Sequence, residues 1–544
     1  MRGGLARAAA AAGAASRQAW PAAASHAWPQ PRQQQLQQQQ GRPRRRGAAT
    51  WAAAAGAAAA AAGGDAAHPL VAWVRANGGA VNGVAPADLA GADGGSGWGL
   101  VATQAVEQPG ARLIELPRRC QLTYDESSDP RLLALVAQVP DELWGAKLAL
   151  QLLAQRVAGG GSAFAPYVAQ LPVGVAGVPM FFARDALEAV EYPPVVEQVK
   201  RRGRWLHRFA LDVLAKLPGT PADPFDGVAV DTNSLGWALA VVTSRAFRVA
   251  GPTAPAALLP LIDMANHSFQ PNAEVLPVPG GVALVAKTKI PAGAPLLLSY
   301  GPLSNDFLLM DYGFVVPDNP HDRVALRFEP ELVASAALIG GARDGAGQLL
   351  QVDASTPWRQ QHLARLGLSG GGPKQNLQVV LGGPALVEPR LLAAVRGLVA
   401  TYQSEVESLT LEVLGSWDRP LNKQNEAATL RVLIGVAMVA LQNFSCGVDP
   451  DLAALQGRPP GGGGGGDGGG GGGGGAPAAS LSPDMCLALS FRSQRKQLLV
   501  DVIAALADKL KQVPRIAGLK ESPVVAARKG QKPRPASPKG FGKA

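Results

Sequence analysis

Apolar residues along the chain change their period several times, and each change marks an element. Leu70, Val71, Trp73 and Val74 recur with helical spacing behind Pro69 and predict one short helix. A glycine-rich loop then leads to Gly97-Trp98-Gly99-Leu100-Val101-Ala102, followed by Leu113-Ile114-Glu115-Leu116-Pro117, with a tight turn between strands as the commoner reading of Gly-x-Gly. Helical spacing then returns at Leu132, Leu133, Leu135 and Val136, and again at Leu148, Leu150, Leu152 and Leu153. Residues 164–172 break that pattern, and further helices are expected around residues 186–190 and 195–217. Residues 234–249 predict a helix carrying Trp237, Val241, Ser244, Arg245 and Phe247. Two strand-like runs follow, Gly281–Ala286 and residues 295–299, and their proximity in the chain predicts a short strand pair. Beyond Val315 the period is helical, with helices expected over residues 390–413, 425–444 and Pro483–Gln512, and Asn425-Glu426 as the start signal of the second.

This order predicts an α+β chain. A β-rich domain over residues 65–325 is interrupted by a helical insertion at about 131–228 and followed by an all-α domain over residues 326–512. Length alone allows two or three domains in 544 residues.

Charge refines the picture at the ends. The net charge is +10, yet residues 1–64 hold eight arginines, no lysine and no acid, and the tail from Arg515 holds eight basic residues against one acid. Without these ends the body has a small acidic excess, which argues against a face for duplex nucleic acid. The Ala-, Arg- and Gln-rich leader over residues 1–64 has the composition of an organellar transit peptide; the plainer reading is an extension with no address. Residues 513–544 read as a basic disordered tail, and a glycine-rich loop at 459–480 contains a fifteen-residue run, 461–475, in which only Asp467 is not glycine. The alanine run at 52–62 is too short and too weakly apolar to span a bilayer, so no membrane partner is expected. Three scattered cysteines, Cys120, Cys446 and Cys486, form neither a disulfide framework nor a zinc site, and no metal is expected.

Candidate chemistry concentrates between Leu261 and Phe314. Asp263, Asn266, His267 and Ser268 fall within six residues, and Tyr300 closes the second strand-like run directly before a Gly-Pro turn. Buried polar groups need partners, so this cluster either satisfies itself as a core turn or faces a ligand. Gly97 and Gly99 allow close backbone approach to a ligand, or simply a tight turn; no helix with a third glycine follows, so they are not a dinucleotide fingerprint. Arg245 would be costly to bury unpaired and is expected either in a surface pair or against a carboxylate.

Taken together, the motifs Gly97-Trp98-Gly99-Leu100-Val101-Ala102, Trp237…Thr243-Ser244-Arg245-Ala246-Phe247, Asp263-Met264-Ala265-Asn266-His267-Ser268, Tyr300-Gly301, Ser304-Asn305, Asp311-Tyr312-Gly313-Phe314 and Asn319-Pro320-His321-Asp322-Arg323-Val324 resemble a SET-domain protein methyltransferase. Their order is similar to the plastid branch typified by the Rubisco large-subunit lysine methyltransferase, across roughly residues 69–325. The C-terminal helices resemble that branch's substrate-binding domain through Asn425-Glu426-Ala427 and Arg492-Ser493-Gln494-Arg495-Lys496.

The resemblance implies S-adenosyl-L-methionine as methyl donor, with Ser96, Gly97, Trp98, Arg245, Asn266, His267 and Tyr300 as donor-binding residues. It implies Tyr300 as the catalytic residue and Phe247, Asp263 and Tyr312 as residues that hold the substrate side chain. An apolar, aromatic channel lowers a lysine pKa by desolvation, holds its ammonium by cation–π attraction and aligns amine and methyl for attack. Several positions depart from relatives. Ser96 stands where they often carry a charge, and Phe269 stands where chromatin-modifying SET domains often carry cysteine. The cysteine cluster after their tyrosine is missing, and Ala294-Pro295 replaces a common acidic pair. A branch that methylates actin histidine has asparagine where Phe247 falls.

The expected activity is therefore protein-lysine N-methylation in the chloroplast stroma, on a folded partner such as the Rubisco large subunit or plastid fructose-bisphosphate aldolase. The alternatives are a non-catalytic module that keeps the fold, and a lysine or histidine methyltransferase outside plastids.

Overall fold

A computed structural model describes residues 68–89, 97–249, 255–370, 376–456 and 481–521. The leader over 1–64, the glycine-rich run and most of the basic tail lie outside the described residues, as does Ser96. The chain forms two compact units. The first comprises the described residues up to Phe181, Val199–Pro302 and Met310–Gly313; the second comprises Phe182–Gln198, Leu303–Leu309 and the described residues from Phe314 onward.

The first unit is built on an antiparallel four-stranded sheet in the order Ala80–Val81, Arg112–Pro117, Gly281–Ala286, Ala273–Val278. The strand Gly281–Ala286 is central and apolar, with Val282 to Ala286 all buried, as a strand covered on both faces should be. Its partners correct one expectation: it pairs with Ala273–Val278 and Arg112–Pro117, not with residues 295–299. The second apolar run instead contributes Leu297–Leu298, paired in parallel with Asn266–His267. A two-residue hairpin could have joined antiparallel neighbours, but a parallel pair needs a long crossover, and here the intervening sheet strands supply it.

The opening helix forms as expected over Pro69–Ala76, with the His68 ring capping Leu70 N–H and Leu70, Val71 and Val74 facing the core. Helices Pro130–Val136 and Trp144–Ala158 begin the insertion, and Trp144–Ala158 packs on Thr232–Arg245. That last helix starts where Asp231 caps Ser234 N–H at 2.8 Å and ends at Arg245. The expected continuation to residue 249 does not occur. Ala246–Phe247 turns into a strand against Ala257–Leu258, because pairing with that segment replaces another half-turn of helix.

The second unit is helical, with one two-stranded antiparallel ribbon, Arg323–Arg327 with Gln378–Gly382, that the sequence pattern does not announce. Its long helices are Lys423–Gln442 and Pro483–Gln512. The cap of the former is Asn422, whose side chain accepts from Asn425 N–H, three residues before the expected start. The helix expected over 390–413 is split into Pro389–Val399 and a short Leu411–Leu414, since Ala400 is already extended. Fully buried charges knit the unit: Arg495 donates to Asp322 at 2.6 Å, Arg396 to Glu426 at 2.9 Å, and Lys496 to Asp451 at 2.6 Å. Among the described residues, no helix is long and apolar enough to cross a membrane, and no group of three or more His, Cys, Asp or Glu side chains is placed to hold a metal ion.

Candidate active site

The site lies within the first unit, where three chain segments are laid side by side. The strand Trp98–Ala102 lies against residues 294–296: Leu296 N–H donates to Leu100 O at 2.8 Å and Ala102 N–H to Ala294 O at 2.9 Å. Directly after this contact, Leu297 and Leu298 stand opposite Asn266 and His267. The side chain of Asn272 pins the junction, donating to Pro295 O and accepting from Leu297 N–H, both at 2.8 Å. Gly99 lets the Leu89 and Asn266 side chains close over the strand. A Cβ on it would lie 2.5 Å from Leu89 Cδ1 and 2.9 Å from Asn266 Nδ2, closer than side chains tolerate. Gly97 has φ of +92° with open space before its missing Cβ, and the Asn266 side chain is exposed beside the strand.

Parallel pairing carries the next residues into register. Tyr300 N–H donates to His267 Nδ1 at 3.2 Å, which makes Nδ1 the acceptor and places the proton of a neutral ring on Nε2. The two rings lie 5.1 Å apart, and Phe269 meets the His267 ring edge-on at 4.6 Å. The Tyr300 hydroxyl donates to Ala265 O at 2.9 Å, and Tyr312 stacks on the Tyr300 ring at 4.9 Å and 25°. Burial pushes the Tyr300 hydroxyl up to about 12, with Arg245 opposing and Asp263 adding to the shift. Burial likewise raises Tyr312, reinforced by Asp311.

Tyr312 is held from both sides. Asp311 accepts from Arg202 at 2.5 Å, and Gly313 has φ of +76° and stands where a Cβ would lie 2.7 Å from Ala176 O, two reasons for glycine there. The turn itself, Leu308–Tyr312, is π-helical, a form that re-aims side chains at functional sites.

Arg245 and Asp263 meet. Arg245 Nη1 donates to Asp263 O at 3.2 Å and stands 3.7 Å from Asp263 Oδ2, while 27% of its side chain remains open. The Asp263 carboxylate is buried, and its Oδ2 accepts from the Tyr167 hydroxyl at 2.7 Å; Oδ1 has no hydrogen-bond partner. Burial raises its carboxyl above the usual range, with Arg245 and Tyr167 pulling it back down. Two residues upstream, buried Leu261 adopts φ of 74°, a left-handed conformation that costs about 1–3 kcal/mol for a side-chain-bearing residue.

The structure thus brings Arg245, Asp263, His267, Tyr300 and Tyr312 into one contiguous group, with Gly99 against Asn266 at its side. Trp98 is 58% exposed, its ring 6.2 Å from His68 rather than in the tyrosine stack. Phe247 is half-buried on the strand after Arg245, packed on the first unit's core. Sequence reasoning passed over Tyr167 and Asn272. Tyr167 carried one readable signal: a tyrosine placed to be buried must find a partner for its hydroxyl.

A glycine strand, an Asn-His pair and a terminal tyrosine interlocked through a parallel two-residue ladder define the SET fold. The SET domain family model matches residues 97–301, and the model for the Rubisco LSMT substrate-binding domain matches residues 351–499. The chain thus carries a SET domain followed by a Rubisco LSMT-type substrate-binding region. Solved structures of LSMT share the fold. The SET domain of LSMT bound to lysine and AdoHcy superposes with a TM-score of 0.58 at 16% identity, covering 86% of this chain and 96% of that one. Rubisco LSMT bound to sinefungin and monomethyllysine gives 0.58, covering 85% and 96%. By sequence, the chain is 26% identical to the actin-histidine N-methyltransferase of Drosophila melanogaster over 256 residues, 42% of this chain and 46% of that protein. It is 23% identical to the Gallus gallus actin-histidine N-methyltransferase over 71% of this chain and 63% of that protein. A ribosomal lysine N-methyltransferase of Schizosaccharomyces pombe is 36% identical over 100 residues, 17% of this chain and 18% of that protein. The match spans less than two thirds of the length of each of these relatives.

Proposed function

We propose that the chain is an S-adenosylmethionine-dependent protein methyltransferase that modifies a lysine of a folded plastid protein, of the kind represented by the Rubisco large subunit or plastid aldolase. One observation carries this reading: the pairing of Asn266–His267 with Leu297–Leu298, which seats Tyr300 beside His267 and under Tyr312.

The residues present fit the donor. Gly97 and Gly99 leave backbone open to approach, the Asn266 side chain is exposed beside them, and Arg245 keeps unused donors for a carboxylate. When bound, S-adenosylmethionine supplies an electrophilic methyl group on a sulfonium. The chain's own part is positioning. Tyr300 stays protonated and donates to Ala265 O, so its oxygen lone pairs are left to accept an N–H of the incoming amine. The apolar surroundings of the stacked Tyr300 and Tyr312 rings favour the neutral form of an arriving amine. Alignment rather than a strong base then carries the rate. A protein rather than a free amino acid as substrate is supported by the match of residues 351–499 to a substrate-binding domain.

The test is incubation of the purified protein with methyl-labelled donor and stromal extract, followed by identification of the methylated residue by mass spectrometry. Methyl-lysine on a stromal protein is the expected result; donor binding without any labelled protein would sink the enzymatic reading. Methyl-histidine is a second reading, favoured by the actin-histidine N-methyltransferases among the relatives. Against it stands Phe247, where the resemblance to the actin-histidine branch would place asparagine. The plastid setting rests on the composition of residues 1–64, and a fluorescent fusion of residues 1–66 tests it directly.

A further inference from the structure

Asp263 is expected from the resemblance to touch the substrate; its carboxylate is buried and bonded to Tyr167. Tyr167, on the short helix Ala165–Val168, reaches across 96 positions of sequence to donate to Asp263 Oδ2 at 2.7 Å. Asp263 in turn receives Arg245 through its carbonyl at 3.2 Å and its Oδ2 at 3.7 Å. Arg245 is the member of the three whose side chain is partly open, at 27%. Burial works against the anion, and the Arg245 guanidinium and the Tyr167 hydroxyl are the largest influences that stabilise it. Buried Leu261, held at φ of 74°, fixes the turn that presents it.

We propose that Tyr167 and Asp263 are positioning residues for donor binding: the Tyr167 hydroxyl orients the Asp263 carboxylate, which holds the Arg245 guanidinium where it meets the carboxylate end of the methyl donor. The inference rests on the methyl-transfer reading and adds to it two residues that touch neither donor nor substrate. A guanidinium on a free stem has many rotamers, and fixing it before binding removes that entropic cost from the donor's affinity. A carboxylate anchored by one neutral hydroxyl and one cation can do this only while ionised. The charged and titratable groups facing it are Arg245 from the end of its helix, Tyr167 from the insertion, and Tyr300. Removing the Tyr167 donor raises the Asp263 carboxyl further, so the relay is lost on acidification at a higher pH than in the natural protein.

Isothermal titration of the full chain with S-adenosylmethionine tests this, in wild type, Tyr167→Phe, Asp263→Asn and the double variant, between pH 6 and 9. Tyr167→Phe is expected to weaken donor binding about tenfold at pH 7, as for a hydrogen bond to a charged group. Its acid limb of affinity should move to higher pH, while turnover at saturating donor changes little. Asp263→Asn should weaken binding at every pH and abolish that limb, and adding Tyr167→Phe to it should cause no further loss. Additive losses, an unmoved acid limb or unchanged affinity in Tyr167→Phe would overturn the relay while leaving the methyltransferase reading intact. Absence of donor binding in the wild type would overturn both. Tyr192→Phe is the stability control, since it removes a buried hydroxyl that bonds Ala325 N–H in the second unit. It should lower the unfolding midpoint and leave donor affinity as it was.

Discussion

The Tyr300 hydroxyl donates to the carbonyl of Ala265 at 2.9 Å, one residue before the Asn266-His267 pair. This bond ties the end of one strand to the start of another and settles which way the oxygen lone pairs face. Replacing Tyr300 by Phe keeps the ring stack on Tyr312 and removes only that oxygen. Methyl transfer is expected to fall by about two orders of magnitude or more, the range of lost alignment, with the circular dichroism spectrum and donor affinity nearly unchanged. Turnover within a few-fold of wild type would remove Tyr300 from the chemistry.

Burial sets the pH profile. The Tyr300 hydroxyl is pushed up to about 12, so it remains protonated throughout the working range. Initial rates should rise with pH as the substrate amine loses its proton, and no descending limb should appear between about pH 7 and 10 from this tyrosine. A fall in rate within that window, absent from the thermal stability profile, would place an ionising tyrosine in the site at a lower value.

Gly99 carries a steric requirement. Gly99→Ala drives a methyl group to 2.5 Å from Leu89 Cδ1 and 2.9 Å from Asn266 Nδ2. The ends of the Leu89 and Asn266 side chains must swing aside, which displaces the Asn266 amide from its place beside the strand. The expected readout is a lowered unfolding midpoint and weaker donor binding. Gly97→Ala, with open space before it but a φ of +92°, should be strained without a clash. Comparison of the two separates contact from conformation.

In the second unit, Asp451 is buried between two cations. It accepts from Lys496 at 2.6 Å and from Arg492 Nε at 3.1 Å, and Arg492 reaches on to Glu191 at 2.6 Å. Burial raises the Asp451 carboxyl, but the bonds from Arg492 and Lys496 outweigh it and hold the group below its ordinary range. A carboxyl lowered on folding stabilises fully above its unfolded value, about pH 4, and loses that contribution as pH falls through the folded value. Asp451→Asn leaves Lys496 and Arg492 without their shared anion and should cost about 3–5 kcal/mol at neutral pH. Denaturant melts should show that gap at pH 7 and its narrowing below about pH 4. A constant difference across that range would mean the pair does not titrate with unfolding.

Local signals in the chain were sufficient for much of this architecture. The helix Pro69–Ala76, the apolar strand Gly281–Ala286, the long helix Pro483–Gln512 and the proximity in sequence of Asp263, Asn266 and His267 are all written in spacing and composition, because period and burial are properties of a few consecutive residues. The seven motifs in order also point to the SET domain, whose family model matches residues 97–301. Helix ends were less legible. Residues 246–249 and 400–410 carry helical composition, yet strand pairing at Ala246–Phe247 and an extended Ala400 end the helices sooner. Such stops depend on partners outside the window that propensity reads.

The site itself was decided by contacts remote in sequence. Nothing in the spacing of Asn266 and Leu297 says that they pair in parallel, because register is a property of two segments and a one-residue slip would reverse every side chain. That register alone places Tyr300 against His267. Likewise Tyr167 and Asp263 stand 96 residues apart, and only the packed core makes their bond obligatory: a hydroxyl and a carboxylate removed from water must find each other or lose their hydration uncompensated.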